Sequence, residues 1–240
     1  MGNNKDTLGD RMKEYYENRT RYTLPRRTYT IIRIDGKAFH SYTRGLERPF
    51  DERLVNDMDE TAAYLCKNIQ GAKFAFVQSD EISILLTDFD TLTTDAWFDG
   101  NIQKIASVSA SMATAKFNEL RPVKIAMFDS RVFTIPSSTE VENYFIWRQQ
   151  DAVRNSISSA AQSLYSPREL HGKNTNQQQE MCFQKGVNWN DYDPKFKRGR
   201  LIIKVAYQES DAVRSKWVSS DPGIFTQQRQ WLQSKIPKDV

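Results

Sequence analysis

Two short acidic stretches, Arg33-Ile34-Asp35-Gly36-Lys37 and Gln78-Ser79-Asp80-Glu81, hold the residues best suited to chemistry in this 240-residue chain. Each puts a carboxylate where an apolar, strand-like run stops. Carboxylates brought together from two strand ends repel one another unless cations lie between them. Mg2+ suits such a pair, because it takes one or two carboxylates and completes its octahedron with water and phosphate oxygens. Two ions held in this way against a triphosphate are a usual arrangement for phosphoryl and nucleotidyl transfer. Asp35 and Asp80 are the expected ligands of both ions, and the Gly36 carbonyl is a further one. Glu81 either binds metal or orients water.

For those carboxylates to meet, the strands that carry them must be neighbours. Tyr29 to Asp35 reads as a strand, with Ile32 and Ile34 on one side and Ile31, Arg33 and Asp35 on the other. Asp51 caps a helix that runs to about Ile69, with Leu54, Met58, Ala62, Leu65 and Ile69 as one apolar stripe. Lys73 to Gln78 and Ile82 to Thr87 read as a hairpin with Ser79-Asp80-Glu81 at its tip. A second helix covers Asp95 to Glu119, small-residue-rich in its middle. Strand segments follow at Val123 to Phe128 and Arg131 to Ile135. Strand, helix, strand, strand, helix, strand is the ferredoxin-like split unit. In its 4-1-3-2 sheet the first and third strands are central neighbours, so Asp35 meets the hairpin tip. Two helices cover one face and leave the other open.

A third long helix begins at Ser137, where Ser137 and Glu140 match a capping box, and runs to about Tyr165. Ser166 to Gln179 reads as a mobile polar loop. The tail holds a strand over Arg200 to Tyr207 and a helical stretch near Phe225 to Lys235. The expected organisation is one α+β domain over residues 1–240. It has a catalytic core at about 28–136, then the third helix and a C-terminal α/β extension at about 137–240.

Composition narrows the class. Hydrophobic content of 39% and aromatic content of 12% describe a folded globular chain. No apolar run is long enough to span a bilayer, and the start is polar, so a soluble, cytoplasmic protein without membrane contact is expected. Cys66 and Cys182, with His40 and His171, are too few for a structural zinc site of the usual kind. Cys66 is expected as a buried thiol. The net charge of +4 is mild, but basic residues crowd two places. Arg19, Arg21, Arg26, Arg27, Arg33, Lys37, Arg44 and Arg48 form one cluster; Lys195, Lys197, Arg198, Arg200 and Lys204 form the other. They suit either a polyanion such as RNA or a solvated basic surface.

The chain resembles the tRNA-histidine guanylyltransferase family, polymerases that add nucleotides in the 3′-to-5′ direction. The likeness rests on Arg33-Ile34-Asp35-Gly36-Lys37-Ala38-Phe39-His40, Gln78-Ser79-Asp80-Glu81, Phe128-Asp129-Ser130-Arg131-Val132 with Pro136, and Trp147-Arg148-Gln149-Gln150-Asp151. Looser matches are Val187-Asn188-Trp189-Asn190 and Lys197-Arg198-Gly199. Where members specific for histidine tRNA carry His-Ile-Asn-Asn, this chain has Val153-Arg154-Asn155-Ser156, and Asn101 stands at a position that is basic in them. Both departures resemble the "like" branch, which rebuilds truncated tRNA 5′ ends by copying the opposite strand.

The resemblance implies a polymerase-palm core, two Mg2+ ions, a tRNA substrate, ATP, GTP and other nucleoside triphosphates as co-substrates, and a homotetramer. It implies activation of the 5′ end, then attack by the 3′-hydroxyl of an incoming nucleotide. It makes Asp35, Gly36 and Asp80 the metal ligands; with Glu81, read from the residues themselves, Asp35 and Asp80 are the candidate catalytic carboxylates. Lys37, Ala38, Phe39 and His40 then lie along a triphosphate, and Arg48, Ser79 and Arg131 contact phosphates. Arg148, Asp151 and Asn155, on one helix face, serve the tRNA 5′ end. Other readings stay open: Phe39 as core, His40 as a structural group, Arg131 paired with Asp129 or Glu140, and the Arg148 stripe as an ion-paired face. Lys104 or Lys116 either touches tRNA or is simply solvated. A nucleotide cyclase and an inactive tRNA-binding module are the competing classes.

Overall fold

The structure, a computed structural model, describes residues 7–210 and 212–238. Its centre is β1 (Tyr29–Gly36), apolar on both sides. Ile32 and Ile34 face one layer of core, and Tyr29 and Ile31 face another; all four are buried. A strand buried on both faces needs a neighbour on each side. β1 pairs antiparallel with β3 (Glu81–Leu86) and with β4 (Phe128–Ile135), while β2 (Ala72–Gln78) pairs with β3. The first four strands thus stand in the order 4-1-3-2 read from the sequence. β5 (Arg200–Glu209) joins β2, and β6 (Ala212–Ser220) joins β5, giving β4-β1-β3-β2-β5-β6. The C-terminal part therefore continues the same sheet.

On one face lie α3 (Glu52–Asn68) and α4 (Ile102–Leu120). Met58, Leu65, Ile105 and Phe117 pack there on Ile32, Ile34 and Ile84. The Asp51 carboxylate accepts the Leu54 amide at 2.7 Å and so caps α3 as expected. A short helix, α1 (Thr7–Tyr15), and a single turn, α2 (Phe39–Tyr42), precede it. The second face is not open. α5 (Ser138–Leu164) crosses it, with Val141 and Phe145 in one core cluster with Ile31, Phe74, Phe76 and Leu85. The apolar Tyr29 and Ile31 on that side of β1 are the physical reason it is covered. Ser137 caps α5 by accepting the Glu140 amide.

Other expectations are corrected. α4 starts at Ile102 rather than Asp95, because Asn101 caps it by accepting the Lys104 amide, and residues 97–100 form a 3-10 turn with Phe98, Asp99 and Gly100 at positive φ. No strand covers residues 123–127: the Asn118 side chain takes both the amide and the carbonyl of Ala126, and Val123 and Ile125 stand in solvent. Strand β4 is single and continuous. The segment read as a mobile loop holds two capped helices, α6 (Pro167–Leu170) and α7 (Thr175–Gln184), each with a capping box. α8 (Pro194–Lys197) and α9 (Arg229–Lys235) complete the chain. Cys66 is buried, and burial pushes its thiol far above the usual range; it and Cys182 are free. Among the described residues no helix is long and apolar enough to cross a membrane.

Candidate active site

Register does most of the assembly. Asp35 lies opposite Glu81 across β1–β3 and opposite Asp129 across β1–β4. Directly paired residues of antiparallel strands share a face. Asp129, Asp35 and Glu81 therefore form one acidic row at the end of three strands. Two residues back, Arg131, Arg33 and Ser83 form the next row on the same face. Arg131 reaches over to the acids, 3.6 Å from Asp129 and 3.9 Å from Asp35. The Arg33 Nε is buried without a hydrogen-bond partner.

Asp80 stands beside this row in the two-residue turn joining β2 to β3. Ser79 takes the left-handed φ of 47° that so tight a turn asks of one of its residues. Burial pushes the Asp80 carboxyl up to about 6. Hydrogen bonds from its own amide and from Ser79 pull the other way, and the charges of Asp35 and Glu81 add to the rise. The two strand ends do converge: Asp35 is close enough for its charge to act on Asp80.

Glu81 has a different fate from its neighbour. Arg148 of α5 holds it in a fork, Nε to Oε1 at 2.8 Å and Nη2 to Oε2 at 2.7 Å. Ser83 and Gln78 donate to the same carboxylate. Arg148 also donates to Asp151 at 2.8 Å, and Arg154 donates to the other Asp151 oxygen. Burial alone would raise Asp151, but the Arg154 hydrogen bond and the two arginine charges outweigh it and hold it below its ordinary value. Arg148 is 5% exposed. Its guanidinium is engaged by the Glu81 and Asp151 carboxylates inside the protein, the ion-paired arrangement left open for this stripe. Asn155 is exposed further along α5.

The segment after β1 is ordered by its own backbone. The Lys37 amide donates to the Met127 carbonyl at 2.8 Å, and Ala38, at φ 56°, opens α2. Lys37, Ala38 and His40 are exposed, whereas Phe39 is buried among Tyr42, Phe117 and Phe128. Phe39 is thus core and offers a ligand only its backbone. A Cβ on Gly36 would collide with the Phe39 ring, itself fixed by that cluster, so the strand must end in glycine. Arg48 is exposed, and among the described residues no hydrogen bond or ion pair ties it to the carboxylates.

Sequence reading missed the place of Asp129, although Phe128-Asp129-Ser130-Arg131 had been singled out; only the β1–β4 register puts it opposite Asp35. Among the described residues no group of three or more His, Cys, Asp or Glu side chains is arranged to hold a metal ion. Two converging carboxylates with a backbone carbonyl beside them are instead the open donor set that a hard cation shares with phosphate.

A palm-like sheet with carboxylates at its hairpin tip is the class that fold and site define. Residues 9–136 match the family model described as Thg1: tRNAHis guanylyltransferase. A bacterial tRNA(His) guanylyltransferase (Thg1)-like protein in complex with ATP superposes with a TM-score of 0.88 at 46% identity, over 97% of this chain and 100% of that one. A corresponding complex with GTP superposes at 0.85 and 48% identity, over 96% and 99%. The tRNA(His) guanylyltransferase of Eremothecium gossypii is 31% identical over 75% of this chain and 84% of its own length. The chain belongs to the Thg1 tRNA(His) guanylyltransferase family.

Proposed function

We propose that this protein is a metal-dependent nucleotidyltransferase that extends the 5′ end of tRNA in the 3′-to-5′ direction, copying the opposite strand. The observation that carries the reading is the convergence of Asp35 and Asp80 at one end of the sheet, with Asp80 cut off from water and, to a lesser degree, set against the charges of Asp35 and Glu81. Such a pair favours the arrival of cations. Asp35, Asp80 and the Gly36 carbonyl would hold two Mg2+ ions, which when bound make a hydroxyl easier to deprotonate and neutralise charge on a leaving phosphate.

The chain's own groups do the rest. Arg131, half exposed beside the acids, offers a planar fork to phosphate oxygens, and Arg33 brings a second positive charge to the same row. Ser79 and the backbone of residues 37–40 line the approach. Glu81 acts indirectly, since Arg148 occupies both its oxygens. The incoming nucleotide is thereby positioned so that its 3′-hydroxyl faces the activated 5′ phosphate; ATP or GTP supplies the activation. Positioning and charge stabilisation are the main demands of this chemistry.

Incubation with Mg2+, ATP, GTP and a tRNA lacking its first nucleotide tests this. Extension at the 5′ end is expected. Asp35→Ala and Asp80→Ala should abolish extension and leave tRNA binding intact. A cyclic nucleotide product would make the protein a cyclase, and retardation of tRNA without any product would make it a binding module.

A further inference from the structure

Trp147 is the aromatic residue of the Trp147-Arg148-Gln149-Gln150-Asp151 run; its side chain, like that of Gln150, is exposed and has no part in the proposed chemistry. Its indole is 45% exposed, an unusual state for the largest apolar side chain. Its position is also fixed. The Arg148 guanidinium lies over the ring, 4.3 Å from its centroid, while its edge grips Glu81 in the fork already described. One planar group thus joins the indole to the residue that follows Asp80. Tyr144, one turn earlier, braces the ring edge-on at 5.8 Å and 65°. Tyr144 is anchored in turn to Ser83 at 2.9 Å and against Phe133 of β4 at 5.7 Å.

Tyr144, Trp147, Arg148 and Asp151 recur at three and four, so they share one flank of α5. The contacts of Tyr144 with Ser83 and Phe133, and of Arg148 with Glu81, seat that flank on the sheet face that carries the Glu81, Asp35 and Asp129 row. An indole held rigid on one side by a cation and partly open to solvent is what aromatic platforms for unpaired bases look like. The neighbouring arginine row supplies the positive charge that a phosphate attached to such a base requires.

The geometry points to Trp147 as a stacking platform for a nucleobase at this site. The base belongs either to the nucleoside triphosphate or to the terminal nucleotide of the RNA end. The inference rests on the reading of the site as one for nucleotides and tRNA. The alternative role for the ring is to shield the Arg148–Glu81 pair from water, which any apolar side chain of similar size would do.

Trp147→Phe, Trp147→Leu and Trp147→Ala separate the two roles. Dissociation constants are measured for ATP, for GTP and for a tRNA lacking its first nucleotide, alongside thermal melts. Phe keeps an aromatic face and should bind within about threefold of the native chain. Leu and Ala should weaken one class of ligand by about 5- to 150-fold, with unchanged melting, and the ligand that suffers names the source of the base. Native affinity of Trp147→Leu for both classes overturns the proposal, as does a Phe variant as weak as the Leu one. Loss of both classes together with a lowered melting temperature also overturns it, in favour of shielding. Binding is read without turnover. A native chain that binds these ligands but adds no nucleotide therefore sinks the proposed activity and leaves the platform standing.

Discussion

Two of the places where this molecule withdraws carboxylates from water treat the charge in opposite ways. Between α3 and α4, Arg121 meets Asp57 at 2.8 Å and Asp51 at 3.1 Å, and the side chains of all three are 15% exposed or less. In that cluster both carboxylates are paired, two acids sharing one arginine, and Asp51 at the same time caps α3. At the hairpin tip Asp80 is deprived of water as well, yet no ion pair to it exists among the described residues. Its neighbour Asp35 is met only at 3.9 Å by an arginine that is 53% exposed. Paired charge holds helices together. Unbalanced charge lowers stability and is kept where a ligand must bring the balance. The contrast repeats within one dipeptide, since Glu81 is neutralised by Arg148 and Asp80 is not.

The largest effect is expected from removing the cation of the paired cluster. Arg121→Ala strands Asp57 in the interior and removes a tie to the cap of α3. Breaking a buried pair from one side costs about 3–5 kcal/mol, so a denaturant titration should show a loss of that order. A loss below about 1 kcal/mol would mean that Arg121 is dispensable and the contrast false.

Balancing the unbalanced site should do the reverse. Asp80 has its carboxyl raised from 3.8 to about 6. The native state therefore holds a proton that the unfolded chain has already released between those values. Stability falls as pH rises through that window and stays lowered above it. Asp80→Asn should then gain up to about 3 kcal/mol at pH 7 while losing activity, and the gain should vanish below about pH 4. Melting curves across that range, without divalent cations, decide it; a gain independent of pH would show that charge is not its source.

The smallest effect on folding belongs to Arg131→Ala. Its pairs are long and exposed, and such pairs contribute under about 1 kcal/mol. Its effect on function should be larger: a charged hydrogen bond to phosphate corresponds to about 10- to 100-fold in the KM for the nucleoside triphosphate. An unchanged KM would remove Arg131 from the site.

The carboxylate pair was legible because it depends on local pattern and on a familiar strand order. The alternation in β1 and the turn at Ser79-Asp80 place Asp35 and Asp80 without any knowledge of distant contacts. Other features were hidden for particular reasons. Val123, Ile125 and Met127 alternate as a strand would, but the Asn118 amide occupies the backbone of Ala126 between them. β6 carries few buried apolar groups, so its pattern does not announce a strand. Arg148 looks like a surface residue beside Asp151 because its partner Glu81 lies 67 positions away in the chain. The single-sided burial expected of the sheet failed on Ile31, whose apolar side chain already called for a second layer.

Helix α5 has 27 residues and is therefore roughly 40 Å long. Arg148 grips the catalytic hairpin from its first half. In its second half Ser156 accepts from the Trp189 indole and donates to the Lys197 carbonyl, while Ile157, Ala160 and Ala161 pack on Cys182. A stiff rod clamped at both places behaves as a lever. About 24 Å separate Arg148 from the far end, so a tilt of only about 3° forced on the hairpin by an incoming substrate would shift the α7 region by roughly 1 Å.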